Sequence, residues 1–257
     1  MIFLQIPAFA AFLLLLTFLL GAVLGSFANC MAWRIARGED FVHGRSHCPV
    51  CGHELAARDL IPVLSYLMQR GRCRYCGTKI SRRYFLTELG TGLLFVLLLL
   101  RYGVSWAALQ NSLLVALLLA IALVDWDCML IPNGLILAGI GNRLLFALLS
   151  RESVLACIGN GLLIAVPLLL LVLLLDRLLG RESMGGGDVK LFFMLALYFD
   201  WRCSLFLLLL SCILGIFFAL RMREKGAFPF GPAIAAAAVL CLFLAEPAVG
   251  LYLRVFF

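Results

Sequence analysis

Long runs of apolar residues, separated by short polar stretches, dominate the chain. Each run approaches the roughly 20 residues that a helix needs to cross a membrane. None shows the alternation of lipid-facing and lumen-facing positions expected of a membrane β-barrel. A chain inside lipid must satisfy its own backbone hydrogen bonds, which favours helices. The pattern predicts eight spanning helices, at about Ile2–Gly25, Phe85–Leu100, Trp106–Val124, Ile131–Leu149, Val154–Leu175, Val189–Phe199, Ser204–Leu220 and Ala233–Leu253.

Two of these segments are weaker than the others. Phe85–Leu100 is short and has Glu88 near its start, and Val189–Phe199 is also short and has Lys190 close to its beginning. The first segment lacks the basic start of a secretory signal and is too long for one. We therefore expect it to remain as an uncleaved first span.

Composition agrees with a polytopic membrane protein and excludes other classes. The chain of 257 residues is 64% hydrophobic and 14% charged, with a mean hydropathy of +1.08. Soluble domains are about 45–50% apolar and about 25% charged, and disordered chains have still fewer apolar residues. The predicted fold is an all-α polytopic membrane protein in which residues 1–27 form the first transmembrane helix, residues 28–84 a small Cys-rich domain, and residues 85–257 the remaining transmembrane domain.

The basic residues predict an orientation in the membrane, because Lys and Arg stay in cytoplasmic loops. The net charge is +7, and 16 of the 21 Lys and Arg fall on one side if the first span runs from outside to inside. These 16 include Arg223 and Lys225 after the seventh segment. The count places the N-terminus outside and the Cys-rich domain in the cytoplasm. Since no long basic run is interleaved with aromatic residues, we expect no binding to nucleic acid.

Four of the ten cysteines form two CxxC pairs. Cys48 and Cys51 are separated by 21 residues from Cys73 and Cys76, just beyond the usual spacing of a zinc site, and a Gly follows each pair. Four thiolates suit tetrahedral Zn²⁺ in a closed structural site. A disulfide is disfavoured in the reducing cytoplasm, and no thioredoxin-like pattern surrounds either pair. The sequence therefore predicts a zinc-binding domain.

Three acidic residues at the ends of apolar segments are the candidates for chemistry. Asp125 and Asp127 end the third segment, and Asp188 follows three glycines. Two carboxylates brought together can share a proton, so that one deprotonates water while the other protonates the leaving amine. The same residues would also serve as helix caps or loop charges, or as a proton or cation pathway. The carboxylates alone do not decide among these readings.

Several short motifs run along nearly the whole chain. They are Gly25-Ser26-Phe27-Ala28-Asn29 with Arg34, Ser46-His47-Cys48-Pro49-Val50-Cys51, Asp59-Leu60-Ile61-Pro62-Val63-Leu64-Ser65-Tyr66-Leu67, Gly71-Arg72-Cys73-Arg74-Tyr75-Cys76, Ile80-Ser81-Arg82-Arg83-Tyr84, Asp125-Trp126-Asp127 through Ile131-Pro132-Asn133, Gly185-Gly186-Gly187-Asp188-Val189-Lys190-Leu191 and Pro229-Phe230-Gly231-Pro232. In these motifs the chain resembles the type IV prepilin peptidases, which are the leader peptidase/N-methyltransferases of type IV pili and type II secretion.

The resemblance implies a multi-pass enzyme of the bacterial inner membrane that cuts type IV prepilins or pseudopilins at the cytoplasmic face. The cut follows a Gly that ends a basic leader, and the new N-terminus is methylated from S-adenosylmethionine. Residues 85–257 become the aspartyl peptidase domain, and the zinc domain is tied to methylation. The implied site consists of the catalytic pair Asp125 and Asp188, the possible accessory acid Asp127, the active-site loop of Gly185, Gly186, Gly187 and Lys190, the metal ligands Cys48, Cys51, Cys73 and Cys76, and the methylation-linked Gly71.

Other functions remain as hypotheses. One is a peptidase that cleaves without methylating, because this chain has Asp59-Leu60 where many members of the family have Asp-Asn or Glu-Asn. A transporter with a regulatory zinc domain, a non-catalytic assembly factor of a secretion machine and a presenilin-type protease are further alternatives. The expected partners are prepilin or pseudopilin substrates and membrane lipid.

Overall fold

The computed structural model describes residues 7–40, 43–221 and 228–256, and these residues are almost entirely helical. A 3₁₀ turn over Ala57–Asp59 precedes the second helix, and these ranges contain isolated bridges but no β-strand. The predicted all-α membrane fold with a small Cys-rich domain is confirmed. The nine α-helices of the described ranges are α1 (Pro7–Ile35), α2 (Leu64–Met68), α3 (Arg82–Tyr102), α4 (Trp106–Cys128), α5 (Asn133–Leu149), α6 (Val154–Leu179), α7 (Gly186–Ala196), α8 (Trp201–Arg221) and α9 (Gly231–Phe256).

Each of the eight apolar segments corresponds to one helix, and six of these helices are long and apolar enough to cross a membrane. The exceptions are α5, with 17 residues, and α7, with 11, so the count of eight spans is approximate. The segment that contains Glu88, expected to be weak, forms the 21-residue helix α3. The start of the first predicted span, at Ile2, lies outside the described residues, as do Arg223 and Lys225.

The chain forms two compact units that meet in sequence within α4, between Leu123 and Val124. The first unit contains α1, the Cys-rich domain, α3 and most of α4. The second contains the end of α4 and helices α5 to α9.

In the first unit, α1 and α3 pack closely in antiparallel directions. A Cβ added to Gly21 of α1 would lie 2.8 Å from the ring of Phe95, and one added to Gly92 of α3 would lie 2.7 Å from the ring of Phe18. Small residues allow membrane helices to approach in this way, because the attraction there depends on close packing rather than on the exclusion of water.

In the second unit, the short helix α7 lies in the core. Its residues Leu191, Met194 and Leu195 have no exposed surface. Added Cβ atoms at Gly139 of α5 and at Gly161 of α6 would collide with side chains of α7 or of the residue that follows it. A helix that is apolar on every side is a buried helix. This packing fixes the N-terminal end of α7, where Asp188 lies.

Candidate functional site

Asp125 is a buried carboxylate in the last turn of α4. Only 5% of the residue is exposed. Its Oδ2 accepts a hydrogen bond of 2.8 Å from the backbone N–H of Gly231, the first residue of α9. A helix N-terminus presents unpaired N–H groups that suit an anion. The end of α4 and the start of α9 are therefore joined through this one carboxylate.

The absence of a side chain at Gly231 allows the Asp125 carboxylate to lie this close to the backbone of α9. A Cβ there would lie 2.6 Å from Oδ2 of Asp125. The Pro-Phe-Gly-Pro motif is thus a direct partner of Asp125, across 106 positions of the chain. The motif is visible in the sequence, but nothing in the sequence indicates its pairing with Asp125.

Asp188 lies in the first turn of α7 and is half-buried. Its charge and that of Asp125 interact, although the two residues belong to separate helices. The glycines before Asp188 are also closely packed: an added Cβ would lie 3.2 Å from Oδ2 of Asp188 at Gly185, and 3.2 Å from Cβ of Ile131 at Gly187. The loop after α4 and the triple glycine before Asp188 therefore pack against each other.

Asp127 differs from Asp125 in its surroundings. It is exposed, and two residues along an α-helix correspond to about 200° around the axis, so the two side chains leave α4 on different sides. Lys190 is also exposed, and its Nζ donates a 3.1 Å hydrogen bond to Oδ1 of Asn133 at the start of α5. The lysine of the Gly-rich motif thus links α7 to α5.

The four paired cysteines converge in the first unit. Their Sγ atoms all lie within 4.8 Å of one another, and those of Cys48 and Cys76 are 3.9 Å apart. Each pair forms the same turn. The N–H of Gly52 donates to the backbone carbonyl of Cys48 and that of Gly77 to the backbone carbonyl of Cys73, both at 2.9 Å. Both glycines have a positive φ, of 70° and 71°. This left-handed conformation favours glycine.

The chemistry and spacing of these sulfurs suit a metal ion. Zn–S bonds of about 2.3 Å in a tetrahedron place neighbouring sulfurs about 3.8 Å apart, whereas a disulfide requires about 2.05 Å. Although burial favours the neutral thiol, hydrogen bonds from the backbone at Cys51 and Val50 lower the pKa of Cys48 to about 7. A backbone hydrogen bond at Thr78 lowers the pKa of Cys76, but burial and the neighbouring cysteines outweigh it and raise that pKa to about 12. Such thiols share protons when no metal is bound. The thiolate is the form that binds metals. The four-cysteine cluster can therefore hold a metal ion.

Asp59 connects the two halves of the Cys-rich domain. Its side chain is 2% exposed and accepts hydrogen bonds from Nε of Arg74 at 2.8 Å and from the Tyr75 hydroxyl at 2.9 Å. Burial raises the pKa of this carboxyl, but the hydrogen bonds from Tyr75 and Arg74 outweigh that effect and leave the pKa below its usual value. Asp59 is thus an ionised internal brace, a role that its sequence motif did not reveal.

Gly71 is buried between the two Cys pairs. Its φ is +67°, and an added Cβ would lie 2.8 Å from the hydroxyl oxygen of Tyr66. Its carbonyl accepts a 2.8 Å hydrogen bond from the N–H of Ile80. Both the backbone conformation and the space therefore require glycine at this position.

Comparison with known proteins gives the same family for both parts of the chain. The family model described as the bacterial Peptidase A24 N-terminal domain matches residues 19–102, and that of the type IV leader peptidase family matches residues 112–220. No solved structure matches the chain.

Curated relatives named prepilin leader peptidase/N-methyltransferase align over most of this chain. The protein from Myxococcus xanthus is 36% identical, over 81% of this chain and 62% of its own length. The protein from Pseudomonas putida is 34% identical, over 88% of this chain and 89% of its own length. The protein from Bacillus subtilis is 30% identical, over 94% of this chain and 98% of its own length. The chain therefore belongs to the type IV leader peptidase family.

Proposed function

We propose that this protein is a membrane aspartic endopeptidase that removes the basic leader from type IV prepilins or pseudopilins and methylates the new N-terminus. The observation that carries the proposal is the placement of two carboxylates, Asp125 at the end of α4 and Asp188 at the start of α7, in one compact unit in which the loop after α4 packs against the triple glycine before Asp188. The shared name of the relatives supports both the substrate and the second activity.

The two carboxylates divide the work of hydrolysis. When one is ionised and the other protonated, the ionised group takes a proton from water, and the resulting hydroxide forms a bond to the carbonyl carbon of the peptide. The protonated group donates its proton to the carbonyl oxygen. Breakdown of the tetrahedral intermediate breaks the C–N bond, and the proton taken from water passes to the leaving amine. One hydroxyl of the intermediate returns its proton to the second carboxylate as the carbonyl re-forms, which restores both acids. During these steps the backbone N–H of Gly231 holds the Asp125 carboxylate in a fixed orientation.

The distribution of basic residues indicates the side of the membrane on which the reaction takes place. We infer that the N-terminus is periplasmic and that the Cys-rich domain and both aspartates are on the cytoplasmic side of the inner membrane, because 16 of 21 basic residues then lie inside. A prepilin keeps its basic leader in the cytoplasm and its apolar helix in the membrane. Its scissile bond then reaches the boundary at which α4 ends.

We infer that the four-cysteine cluster binds structural Zn²⁺ through Cys48, Cys51, Cys73 and Cys76. Four thiolates complete a tetrahedral site and leave no open position, which suits a structural metal. S-adenosylmethionine, implied by the methyltransferase name of the relatives, supplies the methyl group. We assign Gly71 to the domain that supports methylation, where it keeps Tyr66 and the second Cys turn in close contact.

Asparagine substitutions test the carboxylate pair. With purified full-length protein and a prepilin, we expect Asp125→Asn and Asp188→Asn each to lower the cleavage rate by about 10²–10⁴-fold, the usual contribution of a general acid or base. Asp127→Asn is the comparison variant, since it removes an exposed carboxylate from the same turn of α4, and we expect an accessory acid at this position to change the cleavage rate far less than either member of the pair.

Gel analysis measures the loss of the leader, and mass spectrometry locates the cut and detects the methyl group when S-adenosylmethionine is present. Wild-type cleavage by Asp125→Asn or by Asp188→Asn would refute the pair. Cleavage without any methylated product would reduce the proposal to a peptidase.

A further inference from the structure

Val63 occupies a strained turn in the Cys-rich domain. Its φ is +64° and its ψ is −53°, and the N–H of Leu64 donates to the carbonyl of Pro62 at 2.7 Å. This is the rare, strained form of the γ-turn, and a positive φ is unusual for a β-branched residue. Such strain persists only where the surrounding structure enforces it.

Glu88 is the group that holds this turn. Its Oε2 accepts a 2.7 Å hydrogen bond from the backbone N–H of Val63, and the residue is only 7% exposed. A carboxylate inside a membrane helix is costly and usually has a specific purpose. Glu88 therefore stabilises the turn at Val63.

The position of Glu88 shows how deep the turn lies. Glu88 is six residues inside α3, which places it about 9 Å beyond Arg82 along the axis. Close by, the ring of Tyr66 stacks on Phe85 of the same helix, with centroids 5.2 Å apart. The segment of residues 60–68 thus runs beside the first two turns of a membrane helix, rather than above its end.

Large apolar side chains of this segment point away from the protein. They are 43–76% exposed, the largest value being that of Met68. No Asp or Glu occurs from residue 60 to residue 87, whereas six Lys and Arg do. We call the exposed side chains the apolar strip; its members are Leu60, Ile61, Leu64, Leu67 and Met68.

We propose that the apolar strip inserts into the lipid interface beside α3 and that Glu88 is the positioning residue that holds it there. Three observations favour lipid as the occupant. The strip lies level with the start of a membrane helix, its side chains are apolar and exposed, and the exposed Arg70 and Arg72 that follow it complement anionic headgroups.

The bond to Glu88 has a physical reason under this proposal. A peptide N–H in lipid must find an acceptor inside the protein, and the γ-turn leaves the N–H of Val63 free to point toward α3. The Glu88 carboxylate supplies that acceptor. The domain is then fastened to the bilayer by its own surface as well as by the two helices that flank it.

Photo-crosslinking in the full-length protein tests the occupant. A benzoylphenylalanine residue at Leu64 is compared with one at Val50, which is 68% exposed but lies in the turn between the first two cysteines. Both proteins are placed in nanodiscs of phosphatidylethanolamine and phosphatidylglycerol and irradiated, with and without a prepilin. We expect lipid adducts at Leu64 to exceed those at Val50 several-fold by mass spectrometry.

Equal lipid labelling at Leu64 and Val50 would overturn the proposal. So would adducts at Leu64 to the prepilin, to a second copy or to another part of this chain in place of lipid. Glu88→Leu removes the acceptor, whereas Glu88→Gln keeps an oxygen that accepts from Val63. We expect lipid labelling at Leu64 to fall several-fold in Glu88→Leu and to persist in Glu88→Gln. Unchanged labelling in a folded Glu88→Leu protein would refute the role of Glu88, and if that protein does not fold, the comparison of Leu64 with Val50 decides alone.

Discussion

Gly231→Ala is the most selective perturbation of the proposed active site, because it changes neither carboxylate. The added Cβ would lie 2.6 Å from Oδ2 of Asp125, whereas ordinary contacts begin at about 3.4 Å. The carboxylate must therefore move by roughly 0.8 Å. The Cγ and Cβ atoms of Asp125 would also lie only 3.0 and 3.1 Å from the added Cβ, so the end of α4 must shift as well, and we expect some loss of folding stability.

The loss of activity comes from the changed orientation of the Asp125 carboxylate. Turning away stretches or breaks the 2.8 Å hydrogen bond from the N–H of Gly231. A hydrogen bond to a charged group contributes about 1.5–3 kcal/mol, and each 1.36 kcal/mol corresponds to a tenfold change in rate. A displacement of about 1 Å in a catalytic group has an effect of the same order. We expect kcat for prepilin cleavage to fall by about 10–100-fold.

Gly134→Ala is the matched control, because Gly134 lies in the first turn of α5 and no atom is within 4 Å of its added Cβ. Cleavage rates are measured over a range of prepilin concentrations, together with the melting temperature of each variant. We expect Gly134→Ala to match the wild type in both measurements, and Gly231→Ala to lose kcat even at temperatures well below its melting temperature, where the protein is folded. If Gly231→Ala cleaved as fast as Gly134→Ala, the proposed orientation of Asp125 by α9 would be wrong.

Three further predictions concern the Cys-rich domain. Cys48→Ser should lower the zinc content of the purified protein, as measured by metal analysis; an unchanged content would remove the site. Gly71→Ala should lower the melting temperature more than Gly38→Ala does, because both residues have similar positive φ values but only Gly71 lacks room for a Cβ; equal losses would show that backbone strain alone matters. Since the pKa of Asp59 is lowered on folding, its stabilisation is present above about pH 4 and is lost as the pH falls through the folded-state pKa. The difference in melting temperature between wild type and Asp59→Asn should therefore be present at pH 7 and narrow as the pH falls below about 4, and a constant difference would contradict this.

Much of the fold was accessible from hydrophobic pattern alone. Each of the apolar segments forms a helix, since a chain in lipid has few other ways to satisfy its backbone. The pattern did not separate α7 from the spanning helices, although its segment was expected to be weak. Apolar side chains look the same in sequence whether they face lipid or other helices. The burial of Leu191 and Met194 comes from contacts with α5 and α6 that no local signal encodes.

The candidate site was accessible only in part, for a related reason. Residue type and spacing pointed to the four cysteines, because two thiolates three positions apart reach one metal from a single turn. The bond between Asp125 and Gly231 joins positions 106 residues apart, and it depends on where α9 begins. The bond between Glu88 and Val63 requires a backbone conformation that sequence pattern disfavours for valine.

The hydrogen bonds Glu88–Val63 and Asp125–Gly231 are alike, and comparing them shows that a buried carboxylate need not be a catalytic one. In each, a buried carboxylate on a membrane helix accepts a hydrogen bond from a backbone N–H next to a proline, at Val63 after Pro62 and at Gly231 before Pro232. Burial and an N–H donor therefore do not by themselves identify the proposed catalytic acid. What distinguishes Asp125 is its proposed partner Asp188, a second carboxylate at a helix end in the same compact unit. Hydrolysis by paired acids requires such a partner, whereas holding a turn does not.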